Sequence, residues 1–534
     1  MNKERKHNVQ SVKDGGLRLL KKGKRGMVRV IFGRTGLVLL LFFLQVGLLF
    51  SVFRWFVGLV PHLFGGAILF TTIMVVYLLN SEMDNSAKIT WLVVIALVPV
   101  LGVVLFWWTK GEIGHRMLKK RLATLAQQTR EKLPQPPGAL EALEAAHPDA
   151  SGLARYLRGP GGGFPVYENT ALTYFPSGEA KFEALLRQLE QAEHYIFLEY
   201  FIIDEGLMWG KVLEILARKA AQGVDVRVMY DGTCEFTNLP RDYPQRLGRL
   251  NIACKVFSPL TPFVSTHYNY RDHRKIVVID GKVGFTGGVN LADEYINAIE
   301  KYGRWKDAAL MLEGEAVRSL TAQFLQMWGI AQEPEFADFL DQPLPAPAHP
   351  AGFAAPYGDC PLDGERVGEL VYIDLLNRAR SYIHIMTPYL ILDGELETAL
   401  KFAAQRGVDV HLILPGVPDK KFPYALAKNH YLSLLGAGVK ISEWVPGFVH
   451  AKVFVVDGRE AVVGTINLDY RSLYHHFEDA VWMADAPCIA AIEEDFQRTL
   501  SQCRTVEPTK KSIWQGNVLQ RLTGQLLKAI APLL

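Results

Sequence analysis

The chain writes one stretch twice. HRKIVVIDGKVGFTGGVN runs from His273 to Asn290, and HAKVFVVDGREAVVGTIN runs from His450 to Asn467. His, Lys, Asp and Asn fall on the same beat in both. The surroundings repeat in the same order. YIFLEYFIIDEG (Tyr195–Gly206) answers to YIHIMTPYLILDGE (Tyr382–Glu395), and AAQGVDVRVMYDG (Ala220–Gly232) answers to AAQRGVDVHLILPG (Ala403–Gly416). The latter pair each read as a helix end, a glycine stop and a buried strand. Strand–helix–strand alternation, present twice, predicts a duplicated α/β layered fold.

In a strand, residues i and i+2 share a face. His273 therefore sits with Lys275, and His450 with Lys452. Asp280 and Asp457 have the opposite parity, and each precedes a glycine, the signature of a hairpin turn. That predicts a turn or supporting role for these two acids. The second hairpin arm leads to a Gly-rich turn ending in Asn290 or Asn467. Each copy thus offers an imidazole, a fixed positive charge and a carboxamide, a set suited to phosphate. Lys275, Lys452, Asn290 and Asn467 are the expected phosphate donors. One histidine can attack phosphorus while the other protonates the leaving alcohol and deprotonates the incoming one. The residues leave open which histidine does which. Opposed roles on one phosphorus need two histidines facing each other, and a pseudo-twofold duplication supplies them. A single His-x-Lys pattern recurs by chance, but two copies, each with Asn ten residues after the Asp, argue against coincidence. A lysine two residues from each histidine would repel a cation, so neither a metal nor another cofactor is expected.

At 534 residues there is room for two or three domains. A net charge of only +3, with no basic, aromatic-studded stretch in the body, argues against a nucleic-acid partner. Five scattered cysteines without a CxxC pair read as free thiols of a reducing compartment. Charge concentrates at the start, where residues 1–30 hold ten Lys/Arg and two acids. Three apolar stretches follow, Gly36–Phe53, Phe56–Leu79 and Ile89–Trp108, each near the ~20 residues that span a bilayer. Trp107 and Trp108 suit an interfacial belt. The apolar material is too long and too repeated for a signal peptide. The basic leader and the basic residues from Lys110 to Arg121 both favour the cytoplasmic side. An even number of crossings satisfies both, with the region around Arg54 and Pro61-His62 re-entrant or interfacial.

The expected organisation is a basic cytoplasmic leader (1–35), a membrane segment of two to three hydrophobic helices (36–108) and a connector (109–160). A first half (161–332), a Pro-rich linker (333–365), a second half (366–505) and a helical tail (506–534) follow. The linker rests on seven prolines between Pro334 and Pro361. The tail has only Arg521 and Lys528 as basic residues from Ser512 onward, which favours packing on the body over a membrane-surface role.

The doubled pattern H-x-K-x₄-D-x₆-G-[SG]-x-N resembles the phospholipase D superfamily over roughly residues 160 to 505. The chain departs from common usage at Gly288, where many members carry Ser, and at Thr465, where Ser is usual. Within the superfamily it is most similar to bacterial cardiolipin synthases. That likeness rests on PVLGVVLFWW, on HRKIVVIDGKVGFTGGVNLADEY, on NLDYRSL (Asn467–Leu473) and on the terminal PLL. The resemblance implies a duplicated α-β-α sandwich and a catalytic set of His273, Lys275, Asp280, His450, Lys452 and Asp457. It implies His273 as nucleophile and His450 as general acid/base. It also implies a carboxylate bonded to each imidazole, for which Glu478 in HHFED and Asp307 in GRWKD are the candidates. Thr465 can keep a supporting hydroxyl contact, which Gly288 cannot.

The implied reaction joins two phosphatidylglycerol molecules into cardiolipin and releases glycerol. The alternatives are a hydrolytic phospholipase D and a synthase using another alcohol. A non-catalytic lipid-binding scaffold is opposed by the intact His273 and His450. The implied partners are phosphatidylglycerol and cardiolipin, in a bacterial cell membrane that the chain crosses more than once, with the catalytic body cytoplasmic. The oligomeric state is not implied. His267, His475 and His476 read as packing or surface residues. Glu199 and Tyr389 are candidates for lining a lipid pocket.

Overall fold

The computed structural model describes residues 10–12, 16–19, 47, 51, 64–81, 83, 85–97, 102–103, 105–107, 113–259, 270–342, 344, 346–509, 513 and 518–528. The Gly36–Phe53 stretch apart from Gly47 and Ser51, the Pro61-His62 break, Trp108, Lys110 and His267 lie outside them.

Among the described residues of the N-terminal region, α1 (Phe64–Leu79) and α2 (Asn85–Leu97) pack together. Leu78, Ile95 and Phe106 are buried between them, and Phe106 meets Trp91 edge-on at 5.3 Å. Among the described residues no helix is long and apolar enough to cross a membrane. The 16 residues of α1 reach ~24 Å at ~1.5 Å each, short of a ~30 Å hydrocarbon core.

The body holds two sheets. The first contains β1 (Thr170–Phe175), β2 (Tyr195–Tyr200), β3 (Asp225–Asp231), β4 (Ala253–Phe257), β5 (Lys275–Ile279), β6 (Val283–Gly287) and β7 (Ala309–Gly314). Its order is β1-β7-β6-β5-β2-β3-β4. The second contains β8 (Phe353–Asp359), β9 (Tyr382–Met386), β10 (Asp409–Pro415), β11 (Lys440–Trp444), β12 (Val453–Val456), β13 (Glu460–Gly464), β14 (His476–Ala484) and β15 (Cys503–Thr505). Its order is β8-β14-β13-β12-β9-β10-β11-β15, the same path with one strand added at the edge. β2, β3 and β4 run parallel, as do β9, β10 and β11, while the motif hairpins β5–β6 and β12–β13 are antiparallel.

β8 falls inside the stretch expected to be a linker. Its sequence FAAPYGD looks like linker because it contains Pro356 and Gly358. An edge strand tolerates a proline, since one side of its ladder is free. It pairs with β14 across its full length.

Alternating side chains explain the layers. In β5, Val277 and Ile279 face outward with Ile196 and Leu198 of β2, under the helices α3 (Gly178–Glu190) and α4 (Leu207–Ala221). Ile276 and Val278 face inward with Phe197, onto α5 (Val317–Trp328). The second half copies this. Phe454 and Val456 lie under α6 (Val367–Arg378), α7 (Gly394–Gln405) and α8 (Lys421–Gly436), whereas Val453 and Val455 face inward with α9 (Cys488–Leu500). The inward faces of both sheets share one core, so each half is an α-β-α sandwich that leans on the other. A last helix, α10 (Val518–Lys528), sets Leu527 against Leu426 and Tyr470 of the second half.

Two short parallel rungs also join the halves. Arg271–Asp272 pairs with His476–Phe477, and Arg304–Lys306 pairs with Gly447–Val449. Each rung runs into a motif histidine on one strand and a downstream carboxylate on the other.

Candidate active site

The rungs fix the backbone first. The His273 N–H donates to the Phe477 carbonyl at 2.9 Å, and the His450 N–H donates to the Lys306 carbonyl at 2.7 Å. The residue after each acceptor is an acid from the opposite half. His273 Nδ1 lies 2.9 Å from Glu478 Oε2, and His450 Nδ1 lies 2.8 Å from Asp307 Oδ2. Both motif histidines therefore pair with an acid across the pseudo-twofold, and neither half holds a complete set alone.

All four groups are buried. Burial holds the His273 imidazole well below its ordinary pKa against the pull of Glu478, and Lys275 adds to the lowering. Burial, with Lys452 next, pushes His450 down to about 4. Burial alone would raise Glu478 and Asp307, but the facing imidazoles hold both below the usual carboxylate range. A neutral imidazole facing an ionised acid donates its Nδ1–H, which leaves the Nε2 lone pair free as nucleophile or base.

The lysines sit beneath the rings. Lys275 Nζ donates to the His273 carbonyl. Lys452 Nζ donates to the His450 carbonyl and lies 3.0 Å from His450 Nδ1. Burial lowers Lys275 to about 8 and Lys452 to about 7. Each also feels the far acid: Asp307 raises Lys275 and Glu478 raises Lys452. The two motif sets thus share one electrostatic site.

Thr465 and Gly288 occupy matching positions and act differently. The Thr465 hydroxyl donates to Glu478 Oε2 at 2.5 Å and accepts the Asp479 N–H at 2.9 Å. A Cβ at Gly288 would stand 2.0 Å from Asp307 Oδ1, so the carboxylate fills the place of a side chain. Asn290 is buried, accepting from the Ile202 N–H at 3.0 Å and donating to the Tyr295 hydroxyl at 2.8 Å. Asn467 is buried too, and its Oδ1 has no hydrogen-bond partner among the described residues.

Asp280 and Asp457, expected with the catalytic set, are not brought to it. They end β5 and β12, seven residues past each histidine, about 23 Å at ~3.3 Å per residue. Both have φ of 51°, and the following glycines have φ of 65° and 68°, the conformation of a tight hairpin turn. The Asp280 carboxylate accepts the N–H groups of Glu193, His194 and Tyr195, each at 2.8 Å. Asp457 does the same for Arg380, Ser381 and Tyr382, each at 2.8 Å. They clamp the loop entering β2 or β9 to the motif hairpin.

Glu199 does not line a pocket, being fully buried against Arg274 at 2.5 Å. Tyr389 lines a cleft and donates to Asp419 at 2.6 Å. His476 is buried, with Nδ1 3.5 Å from Glu478 Oε1. In the other rung Trp305 takes its place, and its Nε1 is 3.4 Å from Asp307 Oδ2. Sequence reasoning passed over Trp305, although each of these residues stands two places before its acid. His273, His476 and Glu478 bring metal-binding atoms within 4.8 Å of one another, but Lys275 lies beside them and Glu478 already accepts from Thr465.

Two twofold-related sandwiches with His–Lys sets meeting at their seam are the arrangement of a phospholipase D-type enzyme. A family model described as "Cardiolipin synthase, PLD-like domain" matches residues 185–328 and 372–500. The chain belongs to this cardiolipin synthase family. An uncharacterized protein of Streptococcus mutans is 55% identical over 464 residues, covering 86% of this chain and 99% of its own. A cardiolipin synthase of Geobacillus kaustophilus is 33% identical over 469 residues, covering 87% of this chain and 92% of its own. Among solved structures, phosphatidylserine synthase of Haemophilus influenzae shares the fold at a TM-score of 0.52 and 15% identity, over 68% of this chain and 93% of that one.

Proposed function

We propose that this protein is a cardiolipin synthase that moves a phosphatidyl group from one phosphatidylglycerol to another. The observation that carries the mechanism is the exchange of acids between halves, His273 with Glu478 and His450 with Asp307. In the first step His273 Nε2 attacks phosphorus. The P–O bond to the headgroup glycerol breaks, and His450, held as the imidazolium beside the bound anionic phosphodiester, gives that oxygen its Nε2 proton and is left neutral, as the next step requires. In the second step His450 takes the proton from a hydroxyl of another phosphatidylglycerol. That oxygen bonds phosphorus, and the P–N bond to His273 breaks. The sum is two phosphatidylglycerols giving cardiolipin and glycerol. Lys275 and Lys452 stabilise the charge that gathers on the non-bridging oxygens. Asn467 Oδ1 has no hydrogen-bond partner among the described residues, which makes Asn467 the freer of the two carboxamides. Asn290 acts through Tyr295, which stands edge-on to His450 at 5.4 Å.

The enzyme works at a membrane. The exposed apolar residues Ile73, Val76, Ile89 and Val93 on the α1–α2 pair support a lipid setting for that region. Leu19, just past the antiparallel pair Gln10–Val12 and Gly16–Arg18 in the basic leader, donates its N–H to Glu205 at 2.9 Å and accepts from Arg246 at 2.7 Å. This contact supports a leader and body on one side of the bilayer, and with them an even number of crossings and a cytoplasmic body.

The test is product analysis with phosphatidylglycerol alone, in mild detergent with a chelator. Equal amounts of cardiolipin and glycerol are expected, lost in His273→Ala. Phosphatidic acid as the main product would make the enzyme a hydrolase instead.

A further inference from the structure

The two halves of the centre rest on different material. Behind His273 and Lys275 lies a buried polar bed of Glu199, Asp272, Arg274, Thr286 and Asp479. Arg274 lies 2.5 Å from Glu199 and 3.1 Å from Asp272. Asp479 follows Glu478 in β14 and reaches across the seam. Its Oδ1 accepts the Lys275 N–H at 3.4 Å, its Oδ2 accepts the Thr286 hydroxyl, and its own N–H donates to Thr465 at 2.9 Å. Motif spacing and strand register give the counterparts of these five residues behind His450 and Lys452. They are Met386, Val449, Ala451, Val463 and Ala308, all apolar and all buried in one core. Burying three acids around one guanidinium is costly, and replacing such a set by apolar residues is often neutral or stabilising. The second half shows that apolar residues can fill this place. Filling the core therefore does not explain the polar bed.

The two histidines meet different demands. The nucleophile carries phosphorus from the first step to the second, and the incoming oxygen must line up with the P–N bond. The acid/base has only to reach an oxygen within hydrogen-bond distance. Apolar packing fixes volume, whereas hydrogen bonds also fix direction. We propose that Asp479 is a positioning residue for the phosphorylated histidine: with Thr286 and the Arg274 bed it fixes the His273–Lys275 strand against Glu478 through both steps. Asp479 is fully buried and acts through others. It holds Lys275 directly, and it holds Glu478 by way of the Thr465 hydroxyl. The inference rests on the phosphohistidine route proposed above.

The test reads the first step alone. Full-length protein is mixed with phosphate-labelled phosphatidylglycerol in mixed micelles and quenched rapidly in alkaline denaturant. The first-turnover rate of label entering the folded protein is measured, with KM and kcat beside it. Assays on the acid side of the Lys275 pKa of about 8 keep that lysine charged, so the comparison reads placement. Asp479→Ala, which copies Ala308 of the other half, is expected to slow labelling by about tenfold or more, the scale of a misplaced reacting group, with KM unchanged. Thr286→Val, which copies Val463, is expected to slow it by about threefold, as for one hydrogen bond. Asp479→Asn, whose amide can still serve Lys275 and Thr286, is expected to recover most of the loss. A wild-type labelling rate in folded Asp479→Ala overturns the proposal, because the bed would then support the fold and not the step. If that variant does not fold, a wild-type rate in Thr286→Val overturns it for the same reason. A loss in Asp479→Asn as large as in Asp479→Ala also overturns it, since charge and not placement would then be what the residue supplies. Wild-type protein that takes no label removes the phosphohistidine route itself, and this inference with it.

Discussion

His273 faces Glu478 with Thr465 and His476 around the acid, whereas His450 faces Asp307 with Gly288 and Trp305 in the same places. The two sets are built on the same strand order and the same rungs. The differences are coupled. Asp307 is one methylene shorter than Glu478, and its carboxylate lies against its own backbone, accepting the Ala308 N–H at 2.9 Å. That position needs the volume a side chain at 288 would fill. Glu478 reaches further and leaves room for the Thr465 hydroxyl. Acid length and the residue of the Gly-rich turn are therefore matched pairs. A change at one member should be felt by the histidine in the other half.

The sharpest break of the symmetry is chemical. His273→Ala should abolish turnover and labelling together, since it removes the proposed nucleophile. His450→Ala should slow turnover by about 10²–10⁴-fold, the worth of a general acid/base, while leaving a phosphoenzyme that can be trapped. Protein quenched in alkaline denaturant, in which a P–N bond survives, after exposure to phosphate-labelled phosphatidylglycerol distinguishes them. Label retained in His273→Ala and absent in His450→Ala would exchange the two roles.

The matched pairs come next. Gly288→Thr drives a Cβ into Asp307 and should cost about 1–3 kcal/mol of stability, the usual range for overpacking. It should also displace the carboxylate from His450, so activity should fall further than stability explains. Thr465→Ala leaves Glu478 and the Asp479 N–H short of a partner, at a similar cost of about 1–3 kcal/mol, but moves nothing. Melting temperature and kcat measured on both variants test this. Equal kcat losses would mean that position, not contact, is what the turn residue controls.

The repeat made the duplication, the His–Lys face and the candidate acids visible. It did so because side-chain parity in a strand and spacing along the chain are local properties. The crossing of His273 to Glu478 and of His450 to Asp307 depends on rungs between distant segments, and no spacing encodes that. β8 was hidden by Pro356, which composition reads as linker and an edge strand accepts. The aspartates show the reverse. Their turn was legible from Asp-Gly, but the three N–H groups each one gathers come from a loop more than 70 residues earlier. Asp280→Ala and Asp457→Ala should each lower stability by about 2–3 kcal/mol, as for lost charge-assisted bonds, with kcat of the folded fraction kept. A loss of kcat without a loss of stability would return these acids to the chemistry.

The lysines give a comparison between pH effects of opposite sign. Burial lowers Lys452 from 10.5 to about 7 and Lys275 from 10.5 to about 8. Their charges are present below those values and are lost as pH rises through them, so kcat/KM should fall above about pH 7–8. For stability the sign reverses. A group whose folded pKa is depressed binds its proton more readily unfolded, so folding is penalised at low pH. The penalty fades as pH rises from about 7 towards 10.5. Activity should therefore decline while the denaturation midpoint rises over the same interval, apart from other titrating groups. Bound phosphodiester favours the charged lysines and should shift the activity limb upward. An alkaline limb unmoved in Lys452→Arg would remove that lysine from the account.

The smallest effect concerns the residue two places before each acid. Trp305 directs an N–H at Asp307, and His476 directs Nδ1 at Glu478. The His476 ring also lies 5.3 Å from the His273 ring and 6.3 Å from Phe201, so it both packs and points. If it serves only as packing, His476→Phe should behave as wild type. If its N–H helps hold Glu478 against His273, His476→Phe should lower kcat by about two- to fivefold, the worth of a weak hydrogen bond. His476→Trp would then recover most of that loss, because it installs the donor used by the other half. KM should stay constant in both variants, since the change at 476 reaches the substrate only through Glu478 and His273. Recovery by Trp and not by Phe would show that the two halves support their acids by one means, a ring N–H, carried on different residues.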